Sequence, residues 1–203
     1  MSNQKVLFVL LDEFADWEAA SLAAALNEEP EGQGQRFDVK TVSLTKDPIK
    51  SIGGFTVLPD YGVDDVPDEY AGLILIGGNS WRKEDGKRIM ELVGKAIEKE
   101  AVIGAICDAT VFLGRNGLLN EIPHTSNHLE DLKETAGDQY SNEAGYLHQQ
   151  VVRSGQIITA NGSAFLEFGK KVLEALNAAP QEEIDEWYGF FKKGFHEYMK
   201  TKQ

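Results

Sequence analysis

Four short apolar runs, each passing directly into a segment with helical spacing, constrain this chain more than any other feature. KVLFVLLD (5–12) precedes DWEAASLAAALNEE, which sets Trp17, Ala20, Leu22 and Leu26 near one helical face. YAGLILIGG (70–78) precedes the amphipathic KEDGKRIMELVGKAIEKE, AVIGAIC (101–107) turns straight into DATVFLGRNG, and QIITANG (156–162) precedes SAFLEFGKKVLEAL. Runs of strand length that are apolar on both faces and separated by helices predict a mostly parallel sheet covered on both sides. A fifth strand, FDVKTVSL (37–44), is predicted after the polar loop EEPEGQGQR (28–36), and the Gly-Gly step within 49–66 predicts a small accessory hairpin. The pattern therefore predicts one α/β domain spanning 1–203, with a core of about 5–177 and a helical extension of about 181–201. In that extension Ile184, Trp187, Tyr188, Phe191, Phe195 and Tyr198 form an aromatic stripe. It is expected to pack on the chain's own sheet, with a subunit interface as the alternative.

Charge and composition remove several function classes. With 33 acidic against 20 basic residues the net charge is -13, which repels phosphate backbones and anionic lipid surfaces, so neither nucleic acid nor membrane is an expected partner. The start MSNQKVLFVLLDEF lacks the basic segment and cleavage site of a secretory signal, and a cytoplasmic protein is expected. One cysteine allows no internal disulfide and no thiolate metal cluster, and the four histidines are not spaced as ligands, so neither metal nor cofactor is expected.

In open α/β sheets ligands bind beyond the carboxyl ends of the strands. Glu18, Gly77, Gly78 and Cys107 all fall at or just past such ends. Ala105 and Ala109 flank Cys107 at two residues on either side, the small-residue pattern that a strand-to-helix reversal requires. A thiol at a helix N-terminus is expected to have a lowered pKa and act as a nucleophile; a cysteine is equally at home as a small buried apolar residue. The N–H groups of Gly77 and Gly78 either line an oxyanion site or belong to a plain turn, and Glu18 is either functional or an ordinary acidic residue in the first turn of a helix.

Together EFADWE, LILIGGN and GAICDA, in this order and at strand ends, resemble the DJ-1/PfpI superfamily of deglycase-like proteins linked to parkinsonism, intracellular proteases and relatives of class I glutamine amidotransferases. The resemblance runs from about Lys5 to Leu176. It implies a flavodoxin-like three-layer sandwich with a nucleophile elbow at Cys107, and a homodimer. Glu18 would be the acidic partner of the sulfur, protonated through burial beside groups such as Trp17, and the N–H groups of Gly78 and Asp108 would support an oxyanion. Asp108 stands where the protease branch has a histidine after the cysteine, and TANGSAFLEFG lacks the late histidine of the amidotransferases. Peptidase and glutamine-hydrolysing activities are thus disfavoured. Asn127 aligns where many relatives have a histidine, with His128 adjacent as a candidate base if the alignment slips by one. The implied activity is that of a cysteine-dependent hydrolase acting on a small carbonyl, amide or peptide substrate; the alternative is a stress or redox sensor whose cysteine oxidises without turnover.

Overall fold

The computed structural model describes residues 4–28, 36–83 and 86–201. In chain order the elements are β1 (Gln4–Val9), α1 (Asp16–Asn27), β2 (Phe37–Ser43), β3 (Ile49–Lys50), β4 (Thr56–Val57), β5 (Tyr61–Gly62), β6 (Gly72–Leu75), α2 (Gly86–Glu98), β7 (Val102–Ile106), α3 (Asp108–Arg115), α4 (Leu129–Ala136), β8 (Val151–Ser154), β9 (Ile157–Ala160), α5 (Phe165–Ala175), α6 (Gln181–Lys193) and α7 (Phe195–Lys200). Most of the predicted loop at 28–36 lies outside the described residues.

Seven strands form one sheet in the order β5-β2-β1-β6-β7-β9-β8, parallel throughout except for β8, which runs antiparallel to β9. Alternate residues of β1 feed opposite faces: Leu7 and Val9 join the core under α2, α3 and α4, while Val6 and Phe8 join the core under α1 and α5. Each such fully buried side chain contributes roughly 1.5–3 kcal/mol, and both faces are covered, as the uninterrupted apolar runs require. The result is the predicted α/β sandwich. From β1 the chain winds outward to β2 and β5, then returns to β6 and winds the other way, so the switch point lies between β1 and β6. A crevice therefore opens beyond the carboxyl ends of these two strands.

Four expectations change. The 49–66 segment does contain an antiparallel hairpin, β3 with β4, but β5 leaves it and extends the main sheet beside β2. The buried face of α1 runs through Glu18, Leu22 and Leu26, leaving Trp17 47% exposed. The C-terminal extension is two helices, because Gly194 adopts φ +78 between α6 and α7. Its aromatic stripe packs on α5 instead of the sheet: Trp187 lies against Gly169 and the Tyr188 hydroxyl donates to Glu167 at 2.9 Å, while Phe191 and Phe195 stay more than half exposed. No helix among the described residues is long and apolar enough to cross a membrane.

Candidate active site

The turn from β7 to α3 places Cys107 at φ +58, ψ -132, a conformation that costs an L-residue roughly 1–3 kcal/mol. The cost is carried by the surroundings. The Cys107 N–H donates to Ala160 O at 3.0 Å at the end of β9, and the Cys107 carbonyl accepts from Thr110 N and Thr110 Oγ1. Ala105 and Ala109 are both completely buried, so larger side chains would not fit beneath the reversal. Cys107 thereby stands just past the end of β7 and is only partly buried.

Glu18 reaches this point because it shares a helix face with Leu22 and Leu26, one turn and two turns further on. It is 0% exposed. Its Oε2 accepts the Gly77 N–H at 2.8 Å, whereas Oε1 is buried without a hydrogen-bond partner. A Cβ at Gly162 would stand 2.9 Å from that oxygen and 3.0 Å from Cys107 Sγ, so a side chain there would crowd both members of the interacting pair. A side chain at Gly77 would likewise overlap Glu18 and Cys107. The Gly77 N–H therefore serves the acid and is not free for an oxyanion, which corrects one half of the expected glycine pair. The Gly78 N–H has no partner among the described residues.

The position opposite the sulfur is filled by Asn127. Its Nδ2 donates to Cys107 Sγ at 3.1 Å while its Oδ1 accepts the Gly162 N–H at 2.8 Å. The neighbouring His128 is exposed at the N-cap position of α4, and its side chain makes no capping hydrogen bond. The histidine beneath this loop, His124, is fully buried between Ile122 O and the Tyr140 hydroxyl, each at 2.8 Å, and burial lowers its pKa. The Asp108 carboxylate is gripped by Arg82 at 2.7 Å and acts on the sulfur only through its charge, which adds to the raising of the thiol pKa. Sequence reasoning passed over Arg82 and Gly162; only the glycine carried a local signal, following a strand end in TANGS.

Burial sets the electrostatics. It raises the Glu18 pKa from 4.5 to about 7, against the opposing Gly77 hydrogen bond, and it pushes the Cys107 thiol up to about 11, with the Glu18 charge adding to the effect. The expected lowering is thus overturned, with desolvation the largest contribution at this sulfur and the hydrogen bonds from Asn127 and the Asp108 N–H opposing it only in part. Above pH 7 such a pair holds one negative charge, because a second, with carboxylate and thiolate side by side, is opposed by repulsion. Hydrogen bonds from Asn127 and the Asp108 N–H favour placing that charge on sulfur when the proton moves to Glu18. Among the described residues no cluster of three His, Cys, Asp or Glu side chains is arranged to hold a metal ion. A cavity of about 420 Å³ lined by Leu11, Ser43, Pro48 and Trp81 lies beyond β1 and β2 and does not include Cys107.

A cysteine held at positive φ between a parallel strand and a helix, against a buried acid from the first crossover, places the molecule among α/β proteins with a nucleophile elbow. The chain belongs to the DJ-1/PfpI family, whose model matches residues 4–175. The Bacillus subtilis protein named uncharacterized protease YdeA is 39% identical over 196 residues, covering 96% of this chain and 94% of its own. The glutathione-independent glyoxalase DJR-1.2 of Caenorhabditis elegans is 30% identical over 134 residues, covering 64% of this chain and 68% of its own. The crystal structure of a thiJ/pfpI family protein from Bacillus anthracis superposes with a TM-score of 0.88 at 31% identity, covering 98% of this chain and 95% of that one.

Proposed function

We propose that this protein is a cysteine-dependent hydrolase of the DJ-1/PfpI type acting on small carbonyl or amide compounds. The observation that carries the reading is the fully buried Glu18, whose unpartnered oxygen faces the Cys107 sulfur at the elbow. A carboxyl with a pKa of about 7 is suited both to take and to return a proton at neutral pH. As Cys107 Sγ attacks the substrate carbon, its proton passes to Glu18 Oε1 and the carbonyl electron pair moves onto oxygen. The free N–H of Gly78 and that of Asp108 would hold this oxyanion. With an aldehyde, Glu18 protonates the oxygen to give a thiohemiacetal. With an amide, the C–N bond breaks and the amine leaves with the Glu18 proton; water then attacks the thioester, losing a proton to Glu18, and the C–S bond breaks to release the acid and return Cys107.

Asn127 at the sulfur, in place of a histidine, leaves proton transfer to Glu18 and argues against peptidase chemistry of the Cys-His type. The names protease and glyoxalase belong to the relatives that carry them, and each describes attack on a carbonyl carbon. Screening small aldehydes and amides with wild type and Cys107→Ser tests the reading: turnover by the wild type alone supports it, and a serine variant as active as the wild type overturns it.

The same unpartnered oxygen supports a second reading, a sensor in which Cys107 oxidises to a sulfinic acid that Glu18 stabilises by donating a hydrogen bond. Intact mass after mild peroxide separates the two: gain of two oxygens at Cys107 with no turnover of any substrate favours sensing. In either role we take the working unit to be a homodimer. Support comes from the exposed apolar Trp17 on α1 and Ile52, Phe55 and Leu58 on the hairpin that hydrogen-bonds to the start of α1.

A further inference from the structure

Arg82 stands at the end of the 3₁₀ turn Asn79–Arg82, four residues beyond Gly78. Its guanidinium satisfies all five of its N–H donors. Nε donates to Asp108 Oδ2 at 2.7 Å, and Nη2 to Asp108 Oδ1 at 3.1 Å and Asp131 Oδ2 at 2.7 Å. Nη1 donates to Asp131 Oδ1 at 3.0 Å and Thr135 Oγ1 at 3.3 Å. The Arg82 carbonyl accepts in turn from Arg115 Nη1 at 3.2 Å, so both ends of α3 are tied to one residue. Three segments meet here: the loop after β6, the start of α3 and the helix α4. Each also delivers a group to the pair's surroundings, respectively Gly77, packed against Cys107 with its N–H on Glu18, the Asp108 N–H and, from the loop leading into α4, Asn127.

We propose that Arg82 is a positioning residue for the Cys107–Glu18 pair, holding these three segments in register and offsetting the charge of the carboxylate that follows the cysteine. The inference rests on Cys107 being the reacting atom. Among the described residues the charged group facing the pair is Asp108 from α3, and behind it stand Arg82 and Asp131; the ends of β6 and β9 bring Gly77 and Gly162, and the loop before α4 brings the neutral Asn127. Asp108 is mostly buried, its side chain 16% exposed, so its charge is poorly screened by solvent. The Asp108 charge already opposes ionisation of both members of the pair, and losing Arg82 would leave that charge without its counter-ion. A lysine at this position would supply a charge but not the planar fork that grips two carboxylates.

The test is the pH dependence of Cys107 alkylation by iodoacetamide in wild type, Arg82→Met and Arg82→Met/Asp108→Asn, with Cys107→Ala as the zero. The single variant is expected to move the midpoint upward by about half a pH unit or more, slowing alkylation about 3-fold below it. The double variant is expected to return to the wild-type midpoint, which a merely structural role for Arg82 would not produce. If Arg82→Met does not fold, Asp108→Asn alone, with Arg82 present, is expected to lower the midpoint. A single-variant profile that overlays the wild type, a double variant that stays displaced, or, where that variant alone is measurable, an unmoved Asp108→Asn profile overturns the assignment. A wild-type cysteine that is inert at every pH overturns the reading on which it rests, and this outcome is distinct from the others.

Discussion

Glu18→Gln isolates the cost of burying the one carboxyl that faces the sulfur. In the folded chain Glu18 is fully buried and burial lifts its pKa from 4.5 to about 7. An acid whose folded pKa exceeds its unfolded one binds its proton more tightly when folded. Its burial is therefore neutral below the unfolded value, becomes progressively destabilising as pH rises from 4.5 to about 7, and costs a constant amount above that. At 1.36 kcal/mol per pKa unit the full cost is about 3 kcal/mol. Glutamine keeps the shape: its oxygen accepts the Gly77 N–H, its amide nitrogen faces the sulfur, and it has no charge to desolvate. The variant should match the wild type near pH 4 and exceed it by about 3 kcal/mol near pH 8, or about 6–12 °C in Tm for a chain of this length. Thermal and urea unfolding of both proteins across that range measure the gap. A gap that does not widen between the two extremes would refute the claim that the buried carboxyl ionises within the fold.

Gly162→Ala places a methyl 3.0 Å from Cys107 Sγ and 2.9 Å from Glu18 Oε1. It should cost about 1–3 kcal/mol by overpacking, read by thermal unfolding, and slow alkylation of the cysteine. Asn127→Ala removes the donor to sulfur and the acceptor for the Gly162 N–H. Alkylation at neutral pH should fall about tenfold, the worth of one hydrogen bond to a charged group. Light scattering on a sizing column should give twice the chain mass, and a monomer at all concentrations would contradict the proposed homodimer.

The sheet was legible in the sequence because strands buried on both faces leave uninterrupted apolar runs, and β1, β6, β7 and β9 all do so. Weakly apolar elements were not. In α4, LEDLKETA buries only Leu132 and Ala136, and its short polar pattern passes for loop. The break at Gly194 overrode an aromatic stripe whose spacing would otherwise read as one helix. For the site, the order of motifs points to Glu18, Gly77 and Cys107, and the i, i+4, i+8 relation of Glu18 to Leu22 and Leu26 marks a carboxyl on a buried face. Arg82 was illegible because its partners Asp108 and Asp131 lie 26 and 49 residues away, and nothing near it in the chain signals a fork between two carboxylates. The direction of the thiol's pKa was misjudged because local geometry reveals a helix N-terminus but not the depth of burial that outweighs it.

The central claim is that Cys107 and Glu18 act as one titrating unit, and following thiol reactivity with pH in wild type and Glu18→Gln tests it most directly. The wild type should gain reactivity through a step near 7, where Glu18 becomes able to accept the thiol proton, and that step should be missing from the glutamine variant. Two superimposable profiles, each rising with an ordinary thiol midpoint of about 8.5, would contradict it.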